Sequence, residues 1–154
     1  MPLSCVLIDH PIYSLFYHDA KEGKSFLHSH TYSGHPLAVS AALATIRTMR
    51  TEQINHKAEQ LGILMRQHLS NIATKTGKLS NIRSIGAIVA ADLESSNIDR
   101  LGYKLHQEAL RRGALLRPLG NTLYWLPPLT TEQHTIEQLA EITLNSIETV
   151  YSLE

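Results

Sequence analysis

The 154-residue sequence predicts an α/β chain: a small α+β layer from about residue 50 onwards, preceded by a strand, a loop and a helix of a different unit. Three observations carry this. Residues 3–8 are apolar and β-prone almost without interruption, the pattern of a strand buried on both faces. Ile54, Ala58, Leu61, Met65, Leu69 and Ile72 recur every three or four residues, the stripe of an amphipathic helix. Beyond that helix, short β-prone segments alternate with helical ones, so helices are expected on one side of a small sheet.

Taken in order, Asp9-His10-Pro11 ends the first strand, and Tyr13, Phe16 and Tyr17 stand at helical spacing within residues 12–19. Residues 21–35 are polar and rich in Gly, Ser and His, and read as a loop. Pro36 suits the first turn of a helix running to about Met49, whose Ala38, Ser40, Ala41, Ala42 and Ala44 give it small faces. The boundary between the two units falls near residues 45–52. The amphipathic helix stops before Gly77, and β-prone pieces follow around Ile82 and over residues 88–93, with Gly86 at the bend. A helix capped near Ser96 or Asn97 ends at Gly113. Residues 114–117 and 122–126 flank Pro118-Leu119-Gly120-Asn121 as a hairpin, and a four-residue loop would set Arg117 and Tyr124 on one face. Thr130 and Gln133 form a capping box for a last helix through Ile136, Ala140, Leu144, Ile147 and Tyr151.

Composition excludes several classes. Fourteen basic and fourteen acidic side chains cancel, and no basic run exceeds Arg111-Arg112, so there is no electrostatic footprint for nucleic acid or an anionic membrane. No apolar run approaches the ~20 residues of a membrane span. The single Cys5 has no partner in the chain, which fits a reduced, cytoplasmic setting and places it in the core rather than in a nucleophile's role.

Chemistry concentrates in two places. The loop from Phe26 to Pro36 combines Ser29, Thr31, Ser33, Gly34 and the start of a helix; it can hold a phosphate, or it can be a polar connector. His28, His30 and His35 in the same loop invite a zinc reading, but no carboxylate or Cys lies nearby to complete a familiar ligand set, so no metal is expected. Arg117 is either a rim residue or, where its face looks into a cleft, a fork for a carboxylate, and Tyr124-Trp125 serves packing or recognition.

Read together, Met1-Pro2-Leu3-Ser4, His30-Thr31-Tyr32-Ser33-Gly34-His35-Pro36-Leu37-Ala38, Ile82-Arg83-Ser84-Ile85-Gly86-Ala87-Ile88 and Leu116-Arg117-Pro118-Leu119-Gly120-Asn121 resemble the C-terminal part of the fold-type I, ornithine-aminotransferase-like enzymes that use pyridoxal 5'-phosphate (PLP). The resemblance covers essentially the whole chain, and the run from Leu116 to Leu129 narrows it to the branch serving biotin synthesis. It implies that residues 1–47 come from the large PLP-binding domain and residues 48–154 form the C-terminal small α+β domain. It also implies that Thr31, with His30 beside it, contacts the PLP phosphate, usually that of the partner subunit in a homodimer. Ser29 would line the substrate site, Arg117 take the carboxylate of 8-amino-7-oxononanoate, and Tyr124 contact substrate. The donor would be adenosylmethionine and the product 7,8-diaminononanoate.

Ser29 stands where that family usually has Gly. His35 stands where the biotin branch often has Asn and related ω-aminotransferases His. None of Lys21, Lys24, Lys57, Lys75, Lys78 or Lys104 lies in the context of the family's cofactor lysine. The expectation is therefore a fragment of an aminotransferase, inactive alone. The alternatives are a fragment of another ω-aminotransferase, or a non-catalytic domain that binds a partner such as the rest of the fold.

Overall fold

Alternation of apolar and polar residues in short segments builds the sheet on which the larger half of this protein rests. The structure, a computed structural model, describes residues 2–153 and separates into two units, one ending at Thr51 and one beginning at Glu52.

In the second unit, α3 (Ile54–Thr76) leads into β1 (Leu79–Ile85) and β2 (Ile88–Leu93); α4 (Leu101–Arg111), β3 (Thr122–Trp125) and α5 (Gln133–Tyr151) follow. The three strands form one antiparallel sheet in the order β1-β2-β3. Val89, Ala91 and Leu93 of β2 and Leu123 and Trp125 of β3 are buried on its inner face, as a period of two requires. Ala90 and Asp92 of β2 and Thr122 and Tyr124 of β3 occupy the outer face, where the register aligns Arg83, Ala90 and Tyr124 in one row across the strands.

The helices cover the inner face. Leu61, Met65, Leu69 and Ile72 of α3, Leu101, Leu105 and Ala109 of α4, and Ile136, Ala140, Ile147 and Val150 of α5 close the core. The stripe predicted for α3 is the one it buries, apart from the half-buried Ala58, and Gly77 ends it at φ 63° with its N–H on the Ala73 carbonyl. On α5 the expected Leu144 is only half-buried, while Thr143 and Ser146 are fully buried. Their hydroxyls donate to the carbonyls of Leu139 and Ile142, both at 2.7 Å, which removes the cost of burying them.

Several local expectations give way to tertiary structure. α4 starts at Leu101, with Arg100 at φ 53° before it, and the Ser96 hydroxyl instead accepts from the Ile98 N–H in a local turn. Residues 114–117 form no strand: Leu116 N–H bonds back to Ala114 O, a bend that breaks the extended run, and Pro118 has no N–H to offer a ladder. β3 pairs with β2 instead. A two-residue turn at Gly120-Asn121 remains, closed by reciprocal bonds between Leu119 and Thr122. The capping box of Thr130 and Gln133 before α5 is absent, because α5 begins at Gln133 behind Glu132, with no side-chain cap, and Gln133 Nε2 donates to Glu137.

In the first unit, residues 3–8 form no strand and are exposed, with Leu7 at 92% and Cys5 exposed beside it. A strand buried on both faces needs neighbours to take its hydrogen bonds, and none of the described residues supplies one. α1 is His10–Ser14, shorter than residues 12–19, with the Asp9 carboxylate accepting from Ile12 N–H at its start. Asp19 opens a 3-10 turn, Ala20–Glu22, and α2 runs over Pro36–Thr51 with Ala38 its one buried residue.

Gly62 of α3 lies so close to the β1–β2 turn that a Cβ there would overlap the Gly86 carbonyl oxygen. Gly62→Ala is therefore expected to lower stability by about 1–3 kcal/mol, the overlap outweighing the ~1 kcal/mol that Ala contributes in a helix interior. Denaturant unfolding of wild type and variant checks the sign.

Candidate active site

In the first unit, residues 31–34 form a turn immediately before α2. His30 N–H donates to Ser33 Oγ (3.1 Å), Ser33 N–H to His30 O (2.9 Å) and His35 N–H to Tyr32 O (3.1 Å), so the turn is held by its own backbone. Ser33 is thereby spent on the turn. The Thr31 hydroxyl is exposed and makes no hydrogen bond among the described residues, in the turn that precedes the 16-residue α2 in the chain. A free hydroxyl donor in a turn that leads into a helix is of the right chemistry for a phosphate group such as that of PLP.

The three histidines of this loop do not converge. The rings of His28 and His30 meet edge to face with Nε2 atoms 3.2 Å apart, whereas His35 stands against Tyr32. Among the described residues no three His, Cys, Asp or Glu side chains form a metal-ligand group. Ser29 is exposed in the same loop.

In the second unit, Arg117 and Tyr124 come together, by a route other than hairpin pairing. Both line a recess of about 380 Å³ whose walls are Leu115, Leu126, Pro127 and Leu139. Trp125 faces the core and is 1% exposed, while Tyr124 is half-buried on the outer side. Arg117 makes no ion pair among the described residues. An unpaired guanidinium, a phenol and apolar walls suit a ligand with a carboxylate on an aliphatic chain.

Asp92 fixes the strand that carries Tyr124, and nothing in the sequence pattern singled it out. Its carboxylate accepts from Asn81 Nδ2 (2.7 Å), Arg83 Nη2 (3.0 Å) and Thr122 Oγ1 (2.8 Å), tying all three strands together on the outer face. Asn81 reaches it from φ 47°, at the irregularity between Ser80 and Arg83. The hydrogen bonds from Arg83 first, then Asn81 and Thr122, lower its pKa from 3.8 to about 2.

Residues 1–147 match the aminotransferase class-III family model, and the chain belongs to that family. It is 34% identical over 131 residues to an adenosylmethionine-8-amino-7-oxononanoate aminotransferase of Helicobacter pylori, covering 83% of this chain and 30% of that protein. To the protein of the same description from Synechococcus elongatus it is 35% identical over 136 residues, again 83% of this chain and 30% of the relative. The crystal structure of the Methanocaldococcus jannaschii adenosylmethionine-8-amino-7-oxononanoate aminotransferase superposes with a TM-score of 0.79 at 26% identity, over 90% of this chain and 33% of that one. The chain thus spans about a third of the length of the relatives it matches. No helix among the described residues is long and apolar enough to cross a membrane.

Because the folded form holds Asp92 ionised, its contribution to stability is complete above pH ~4 and is lost as pH falls from there through about 2. Acid unfolding followed by circular dichroism is expected to be steeper over that range for wild type than for Asp92→Asn.

Proposed function

We propose that this chain supplies the cofactor-phosphate turn and the substrate-carboxylate site of a PLP-dependent aminotransferase of biotin synthesis, which moves an amino group from adenosylmethionine to 8-amino-7-oxononanoate and yields 7,8-diaminononanoate. The observation that carries the reading is the meeting of Arg117 and Tyr124 in one apolar-walled recess, on a chain whose relatives bear that activity in their names. Arg117 binds the carboxylate through its fork, the leucine and proline walls take the alkyl chain, and Tyr124 orients the chain from the side. Thr31, with His30 beside it, donates to the PLP phosphate, and Ser29 lines the substrate site.

PLP, when bound, supplies the electron sink for the transfer. The proton-carrying lysine is not among the residues of this chain that match the family's pattern; residues 1–47 act as part of a large PLP-binding domain and residues 48–154 as the C-terminal small domain. The active unit is a homodimer, the usual setting in which such a turn serves the neighbouring cofactor. A second reading, another ω-aminotransferase, is favoured by His35, which stands where related ω-aminotransferases often have His.

The test joins this chain to the portion of the Helicobacter pylori relative that the match does not cover. The joined enzyme is expected to form 7,8-diaminononanoate, and this chain with PLP and both substrates is expected to give no turnover above the free-cofactor rate. In the joined enzyme Arg117→Ala should raise KM for 8-amino-7-oxononanoate about 10- to 100-fold, the loss of a charged hydrogen-bond pair of ~1.5–3 kcal/mol, and leave the donor half-reaction nearly unchanged. An unchanged KM sinks the assignment of Arg117. Turnover only with other amine donors and acceptors establishes the second reading. Thr31→Val is expected to weaken PLP binding several-fold, read by cofactor absorbance on titration.

A further inference from the structure

We infer that Gly102 and His106, one turn apart on α4, are positioning residues that grip the Leu116–Gly120 loop at both ends and so aim Arg117. The inference rests on the reading of Arg117 as a carboxylate ligand.

Residues four apart lie on the same helix face. At one end of the grip, the Gly120 carbonyl oxygen sits where a Cβ of residue 102 would be, and Pro118 Cβ lies 3.2 Å from that position. Only a glycine admits the loop so close. At the other end, His106 Nδ1 makes a short hydrogen bond to the Leu116 carbonyl. The carbonyl can only accept, so Nδ1 carries the proton and the ring donates.

Arg117 stands between these points. Its preceding carbonyl is held by His106, and the Leu116 side chain is anchored in the core at 4% exposed. The residue after it, Pro118, has its φ fixed by the ring, and the turn closes on reciprocal Leu119–Thr122 bonds of 2.9 and 3.0 Å. The backbone of Arg117 is thus ordered before any ligand arrives, which lowers the ordering cost of binding. The recess between α4 and this loop is bordered by Gly102, His106 and Arg117 themselves.

The test uses the joined enzyme and three variants. His106→Leu removes the donor. His106→Asn places an amide N–H near the position of Nδ1. Gly102→Ala pushes the loop away. His106→Leu and Gly102→Ala are expected to raise KM for 8-amino-7-oxononanoate about five- to tenfold with kcat within about twofold, and His106→Asn to return KM to within about threefold of wild type. A role in fold stability alone would lower the yield of active enzyme and leave KM where it was.

On this chain by itself, His106→Leu should speed hydrogen exchange at the Leu119 and Thr122 amides, a readout that needs no turnover. The inference is overturned if Arg117→Ala raises KM while His106→Leu changes neither KM nor exchange. If Arg117→Ala leaves KM unchanged, the carboxylate reading fails and the aiming role goes with it, whatever the exchange shows; the two failures are told apart by that one variant.

Discussion

The outer face of the sheet can carry polar chemistry because its inner face is closed by side chains that leave no room to slide. Met65, Leu69, Val89, Leu123, Trp125, Ile136 and Ile147 are each at most 1% exposed, so a shift of one residue in any strand would turn an apolar set to water and a polar set to the core. That register puts Arg83, Ala90 and Tyr124 in one row and lets Asp92 meet partners from both neighbouring strands. The core therefore decides where Tyr124 points, although Tyr124 is not in the core.

Two backbone-to-backbone approaches extend that order into the connections. Gly62 admits the carbonyl of Gly86, and Gly102 admits that of Gly120. In both, a helix glycine costs intrinsic helix stability and permits a contact that no other residue allows. The first seats the β1–β2 turn against α3. The second seats the loop carrying Arg117 against α4, and His106 completes it with a hydrogen bond that a helix of apolar residues alone could not offer. The recess holding Arg117 and Tyr124 is thus built from loop and strand but held by helix.

The first unit is organised differently. Its order comes from short-range devices: Asp9 at the start of α1, Asp19 over the 3-10 turn, Ser33 across the turn before α2, and ring contacts linking Phe16, Phe26, His28 and His30. Each spans few residues and buries little. Val6, Leu7 and Leu27 stay more than 80% exposed. This agrees with a chain that spans about a third of the length of its relatives, since a segment with strand composition needs the neighbouring strands of a sheet to become one.

The sequence by itself determined the elements whose cause is local periodicity or a stop residue: the stripe and Gly77 end of α3, the bend at Gly86, the Pro36 start of α2, and the β-prone run that becomes β2. The motif around Thr31 and the run from Arg117 to Tyr124 stood out in the sequence through their resemblance to a known family, not through any periodicity. Tertiary structure alone decided the rest. Residues 114–117 are extended by composition, yet β3 finds a better partner in β2, so Arg117 and Tyr124 meet across a recess and not across a hairpin. Arg100 and Gln53 adopt positive φ where no local signal asks for it. Thr143 and Ser146 enter the core because helix carbonyls satisfy them. Gly102, His106 and Asp92 act on groups 9 to 30 residues away in sequence, and no window of a single helix or strand contains both partners of such a contact.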